Sequence, residues 1–84
     1  MEENRIFAVV TSDTECNQIT SSKVFKTEEE ARQEVYNWYD NTKEEYERDG
    51  VPYKGECFKC AIGAYAWIEH DGTIEFCEAF SLKV

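Results

Sequence analysis

The strongest structural signal in the sequence is TEEEARQEVYNWYDNTKEEYERDG, residues 27–50, which predicts a helix from about 28 to 48. Thr27 followed three residues later by Glu30 matches a capping box, which satisfies backbone groups of the first helical turn. Asp49-Gly50 supplies the glycine that commonly ends a helix in the left-handed conformation. One core-facing stripe follows helical spacing and contains Ala31, Val35, Trp38, Tyr39, Thr42 and Tyr46.

Two strands are predicted before this helix and two after it. RIFAVVT at 5–11 is rich in β-branched and aromatic residues, and QITSSKVFK at 18–26 carries lysines typical of a sheet edge. GVPYKGECFK at 50–59 holds two of the four glycines and the only proline, so an irregular connection is expected there. CAIGAYAWIE at 60–69 and TIEFCEAFSLKV at 73–84 flank His70-Asp71-Gly72 and predict a β-hairpin.

The register of this hairpin decides which side chains lie under the helix. A three-residue loop pairs Glu69 with Thr73 and Ile68 with Ile74, whereas a two-residue loop sets Ile68 opposite Glu75, so the first is preferred. The preferred register places Ile62, Ala64, Ala66, Ile68, Ile74, Phe76, Phe80 and Leu82 on the helix side of the sheet. It places Tyr65, Trp67 and Cys77 on the opposite side.

The predicted fold is a two-layer α+β domain of order β-β-α-β-β, with one helix packed on a mostly antiparallel four-stranded sheet. The 84 residues allow a single domain, 1–84. Two Trp, five Tyr and five Phe are expected to supply much of the small core.

The charge balance restricts the partners. Eighteen acidic residues against nine basic ones give a net charge of −9, which disfavours direct binding to nucleic acid or to an anionic membrane and favours a protein with a basic surface. MEENRIFAVV lacks the basic start and the long apolar core of a secretory signal, so a reducing cytoplasmic location is expected. The four cysteines are then expected to be free thiols or metal ligands.

Neither metal chemistry nor catalysis is the preferred interpretation. Cys57 and Cys60 have the spacing of half a zinc site, but the preferred register separates Cys60 from Cys77 by roughly 16 Å along the strand. The only histidine, His70, lies in a predicted turn, and no nucleophile is placed beside it by spacing. No cofactor and no enzymatic activity are therefore predicted, and a metal-stabilised or thiol-active domain using Cys57 and Cys60 remains an alternative.

Two surfaces are candidates for binding a partner. Nine of the eighteen acids lie between Glu28 and Asp49. Glu29, Asp40, Glu44 and Glu47 fall on the side of the helix away from the core stripe, where a row of carboxylates can imitate a polyanion. Tyr65 and Trp67, on the sheet side away from the helix, are the residue types that dominate interface hot spots. Alternatively, the 50–59 connection or a strand overhang folds across this face and buries them.

In size, charge and element order the chain resembles small acidic accessory proteins of phages and mobile elements. Several of those, including anti-defence proteins, block a host nucleic-acid-binding enzyme by occupying its basic groove. The likeness implies a non-enzymatic inhibitor or adaptor that binds a basic protein. A self-associating structural protein, such as a homodimer joined through edge strands or the aromatic face, is the remaining alternative.

Overall fold

The computed structural model describes residues 5–14, 18–60 and 63–83, and these form one helix on one five-stranded sheet. The elements are β1 (Arg5–Asp13), β2 (Gln18–Phe25), α1 (Glu28–Asp49), β3 (Lys54–Cys60), β4 (Gly63–His70) and β5 (Thr73–Lys83). The strand order is β2-β1-β5-β4-β3, and every pairing among these strands is antiparallel. The predicted α+β architecture is confirmed, but the predicted number of four strands is wrong.

The helix begins and ends where its sequence indicates. Thr27 is the N-cap, its Oγ1 accepts a hydrogen bond from the Glu30 backbone N–H at 3.2 Å, and its hydroxyl donates to Glu30 Oε1 at 2.9 Å. Gly50 is left-handed with φ of 70°, and its N–H returns to Glu47 and Tyr46 carbonyls. These contacts satisfy backbone groups that have no partner within the helix.

The additional strand is β3, which occupies most of the segment expected to be an irregular connection. Only residues 50–53 separate α1 from β3, which pairs with β4 from Lys54–Glu69 to Cys60–Gly63. Cys60 therefore ends β3 and does not begin β4. Gly55 explains the misleading composition, because a Cβ there would lie 2.7 Å from the Trp67 carbonyl oxygen and 3.2 Å from the Tyr39 ring. The glycine allows the helix to approach the sheet rather than breaking the strand.

The β4–β5 hairpin has the register that the sequence argument rejected. His70 pairs with Thr73, Ile68 with Glu75 and Ala66 with Cys77 across a two-residue turn. Asp71 and Gly72 both have positive φ, 47° and 82°, which is the backbone of a type I′ turn.

This shift by one residue exchanges the two sides of β5. Glu75, Cys77 and Ala79 lie under the helix, while Ile74, Phe76 and Phe80 lie on the other side of the sheet. The expected position of Cys77 beside Tyr65 and Trp67 is therefore wrong. Ile62, also assigned to the helix side, lies outside the described residues, and for Leu82 only the backbone is described.

The core between the helix and the sheet is built mainly from small side chains. Its buried members are Val9, Ala31, Val35, Ala64, Ala66, Cys77 and Ala79. Aromatic rings pack around this cluster rather than inside it, including Phe7, Phe25, Tyr36, Trp38 and Tyr39. The aromatic side chains thus lie at the margins of the core or outside it, and the largest fully buried side chain among the described residues is Ile68.

Candidate functional site

The sheet side away from α1 is not covered by any described element, and this surface is called the open face below. It carries alternate residues of all five strands. Its apolar members are Ile6, Ala8, Val10, Ile19, Val24, Phe58, Tyr65, Trp67, Ile74, Phe76 and Phe80. Tyr65 and Trp67 thus lie on this face, where sequence reasoning placed them, and their role in binding a partner stays a prediction.

Aromatic rings cross the open face from strand to strand. Phe58 of β3 stacks on its cross-strand partner Tyr65 of β4, with ring centroids 6.2 Å apart and planes inclined by 17°. Tyr65 also contacts Phe76 of β5 at 6.3 Å. The rings form one continuous apolar strip because such pairs prefer these offset distances.

One carboxylate interrupts the strip. Glu78 of β5 pairs with Tyr65 on one side and with Val10 of β1 on the other, so it lies near the middle of the open face. Burial and the nearby Glu78 together raise the pKa of Tyr65. The open face therefore combines an aromatic strip with a single central charge.

The apolar residues of the open face are most exposed on the two edge strands, β2 and β3. All three exposed large hydrophobic residues of the described chain lie on it: Ile19 at 63 %, Val24 at 64 % and Phe58 at 44 %. None of the twelve aromatic residues is among the fully buried residues. Contiguous apolar surface of this kind marks an interaction site more often than a chance feature.

The second candidate surface is the outward side of α1. Glu29, Asp40, Glu44 and Glu47 are all exposed there. Glu29 lies eleven residues before Asp40, about 16 Å along the helix axis, and hydrogen-bonded Gln33 and Asn37 occupy the space between them. The structure therefore brings together Asp40, Glu44 and Glu47, called the acidic row below, and leaves Glu29 apart.

The two basic residues in this part of the helix have other contacts, and Lys59 of β3 lines the same groove as Asp40. The Lys43 ammonium lies 4.8 Å from the centroid of the Tyr39 ring, and Arg48 Nε lies 3.8 Å from Asp49 Oδ1. At the other end of the helix Arg32 bonds to Glu28 at 2.9 Å. Among described residues, none forms an ion pair within 4 Å of Asp40 or Glu44.

Glu47 contributes to the row and also fixes the chain after the helix. Its Oε1 accepts a hydrogen bond of 2.5 Å from the Tyr53 hydroxyl. This hydrogen bond, with smaller contributions from desolvation and charge, raises the pKa of Tyr53 to about 12. The Tyr53 ring also contacts Tyr46 at 6.0 Å, so the turn after α1 is held against the helix.

A polar cluster that sequence reasoning missed joins the helix to the β4–β5 hairpin. The Tyr46 hydroxyl donates to Glu75 Oε2, His70 Nε2 lies 3.3 Å from the same oxygen, and the Tyr46 and His70 rings are 4.6 Å apart. Desolvation, followed by Glu75, raises the pKa of Tyr46. The signal in the sequence was Tyr46 at the end of the core stripe, which predicts a hydroxyl directed at the sheet.

The cysteine pair does not have the geometry of a metal clip. Cys57 and Cys60 belong to one extended strand, which spaces Cα atoms three positions apart by about 10 Å. Within the described residues, no group of three or more potential metal ligands occurs. Cys57 instead shares a row on the helix side with Ala66 and Cys77. The thiols of Cys57 and Cys77 are both free. Cys16, considered as a further ligand, lies outside the described residues.

Comparisons with family models, curated proteins and solved structures return no match to this chain. In the described part of the chain, no helix is both long and apolar enough to cross a membrane.

Proposed function

We propose that the protein is a non-enzymatic inhibitor or adaptor that binds a basic protein surface through the acidic row of α1. The observation that carries this proposal is the concentration of exposed carboxylates on the outward helix face, with the neighbouring bases engaged on Tyr39 and Asp49. A nucleic-acid-binding enzyme is the partner class that fits, because its groove already accepts a polyanion.

The position of the acidic row supports a functional role. Asp40, Glu44, Glu45, Glu47 and Asp49 all lie in the last ten residues of α1, where only Lys43 and Arg48 balance them. The C-terminal end of a helix carries a partial negative charge, and acids placed there are destabilising. In the last turn this applies to Glu47 and Asp49, whereas Asp40 and Glu44 are four residues apart and repel each other as like charges.

The spacing of the row suits recognition by a line of cations. Asp40 and Glu44 are about 6 Å apart along the axis, and Glu47 follows about 4.5 Å later. The helix holds these charges on a rigid support that packs on the sheet through Val35 and Ala31. A partner therefore meets a preformed row of negative charge.

The test compares the native protein with Asp40→Asn/Glu44→Gln/Glu47→Gln. Partners are isolated from a lysate on each immobilised protein, and association with each purified partner is then measured at about 50 mM and about 300 mM NaCl. We expect the native protein to retain a basic protein that the triple variant loses. Its association should slow at least about tenfold at the higher salt concentration, because the row steers the encounter.

Duplex DNA added as a competitor separates mimicry from simple charge attraction. A partner whose nucleic-acid groove is occupied should be displaced by DNA, in proportion to the DNA concentration. The Glu29→Gln variant is the matched control, since it removes one exposed helix charge outside the row. Equal retention of partners by the triple variant, or association that does not change with salt, would contradict the proposal.

A further inference from the structure

We propose that a second copy of the chain covers the open face, forming a two-fold dimer of sheets with both helices outside. The inference rests on the open face and is independent of the acidic row on the other side of the molecule. It follows from three properties of the described residues: surface area, charge distribution and side-chain size.

The first property is the area that remains in contact with water. The chain exposes 5850 Å², whereas a compact folded monomer of 9.8 kDa is expected to expose about 5,200 Å². The chain therefore exposes more surface than a compact monomer of its mass. Five strands about 4.8 Å apart and about eight residues long give a face of roughly 600 Å². Two such faces bury about 1,200 Å², the lower limit for a stable interface.

Among residues 5–14, 18–60 and 63–83, no element lies over this face. The described elements place α1 on the opposite side of the sheet. The stretches outside the described ranges contain at most four residues each. Four residues reach about 14 Å when extended, less than the width of roughly 24 Å of the five strands.

The second property is the distribution of charge. A chain of net charge −9 repels its own copies unless the contact surface is poor in charge. The helix holds nine acids, whereas the middle of the open face carries only Glu78, with Lys54, Glu56 and Glu69 at its β3 edge and hairpin end. Stacking the sheets about 10 Å apart directs both acidic helices outward and keeps them separated by two sheet layers.

The third property is that a strand with large side chains in one copy would face a strand with small side chains in the other. A two-fold axis parallel to the strands reverses the strand order across the interface, so β4 of one copy faces β1 of the other and β5 faces itself. Tyr65 and Trp67 on β4 then meet the smaller Val10 and Ser12 of β1. The same axis brings the two Glu78 carboxylates towards each other at the centre, which weakens the dimer.

The decisive experiment is sedimentation equilibrium of the purified chain between about 1 and 200 µM, with matched variants. The native chain should reach twice its mass of 9.8 kDa in the upper part of this range. Val24→Glu and Phe58→Glu should lower association at least about tenfold, because a charge enters the contact. Both side chains are exposed in the single chain, so folding should be retained, as circular dichroism would show. Asn41→Glu, which adds the same charge on the helix, should associate like the native chain.

Glu78→Gln distinguishes a second copy from other occupants of the face. Removing the two facing charges should strengthen the dimer at least about fivefold, whereas Glu44→Gln, with the same charge change on the helix, should have little effect. A basic protein on this face would instead lose affinity when Glu78 is neutralised. The dimer is overturned if the native chain stays at 9.8 kDa up to about 200 µM, or if Glu78→Gln weakens or does not change association.

Discussion

Glu75 is a charged residue on the helix side of the sheet, directly opposite Ile68, and two neighbours make this position acceptable. The Tyr46 hydroxyl and His70 Nε2 both reach its Oε2 atom. The carboxylate thus keeps polar partners at the margin of an apolar core. These three side chains join the last turns of α1 to the tight turn between β4 and β5.

Tyr46→Phe tests this polar contact. Removal of the hydroxyl leaves Glu75 with His70 alone, and we expect the free energy of unfolding to fall by about 1–2 kcal/mol in urea titrations. Tyr53→Phe is the control, because it removes a similar hydroxyl–carboxylate bond from an exposed position. Its unfolding midpoint should stay close to that of the native protein. An equal decrease in the free energy of unfolding in the two variants would mean that the hydrogen bond to Glu75 contributes no more to stability than the exposed one to Glu47.

The buried Cys77 thiol makes a prediction for alkaline pH. Burial, followed by nearby acidic groups including Glu34, raises the pKa of Cys77 from 9.0 to about 12. The folded protein keeps this proton where the unfolded chain loses it, so this contribution to stability falls between about pH 9 and pH 12. Urea titrations at about pH 8 and pH 10.5 should show a smaller decrease for Cys77→Ala than for the native protein. The same decrease in both would contradict a buried, protonated thiol.

Thiol labelling provides a second measurement on the same residue. Only the thiolate reacts at a useful rate, and Cys77 is both protonated and inaccessible in the folded state. Mass spectrometry after brief alkylation near neutral pH should find Cys77 unmodified in the native protein and modified in urea. Modification of Cys77 in native protein, at the rate seen in urea, would show that the helix opens readily.

At the scale of elements, the two end caps and the core-facing stripe stabilise α1, whereas the acidic residues near its C-terminal end destabilise it. Glu28, Glu29 and Glu30 lie in the first turn, where they favour the helix, but five further acids lie in its last ten residues. The acidic row therefore has a measurable cost in helix stability.

Neutralising the row should consequently stabilise the protein while it abolishes partner binding. Asp40→Asn/Glu44→Gln/Glu47→Gln is expected to raise the free energy of unfolding by about 0.5–2 kcal/mol, measured by urea titration. Glu47→Gln also weakens the hydrogen bond from Tyr53, because an amide oxygen is a weaker acceptor than a carboxylate, so Asp40→Asn/Glu44→Gln alone serves as the control. Destabilisation by this double variant would show that the carboxylates support the helix.

The elements also show how far the sequence predicts the fold. The helix could be predicted almost to the residue, because Thr27 and Gly50 are local signals with a fixed geometry. The β3 strand and the β5 register could not, since each depends on a contact across the molecule. Gly55 interrupts the pattern because the Trp67 carbonyl and the Tyr39 ring approach it closely. Glu75 fits beneath α1 because Tyr46 and His70 reach it. Of the candidate site, the exposed acids and the side of Tyr65 and Trp67 were predictable from periodicity.

For the whole molecule, the excess of acids predicts a salt-dependent stability. Net charge −9 on a domain of this size favours expansion, and dissolved ions reduce the repulsion. We expect about 0.5 M NaCl to raise the free energy of unfolding by about 1 kcal/mol at a concentration where the chain is monomeric. The increase should be smaller for Asp40→Asn/Glu44→Gln. An equal increase in both would point to a general effect of salt on apolar burial.

The sheet separates the two tryptophans of the chain, and this gives each surface its own optical reporter. Trp38 packs at the margin of the core under α1, whereas Trp67 belongs to the open face. Fluorescence from Trp67 in a Trp38→Phe variant should therefore respond to dilution, while Trp38 emission in a Trp67→Phe variant should respond only to denaturant. Association and unfolding, which many small proteins report through one signal, can be followed separately in this one.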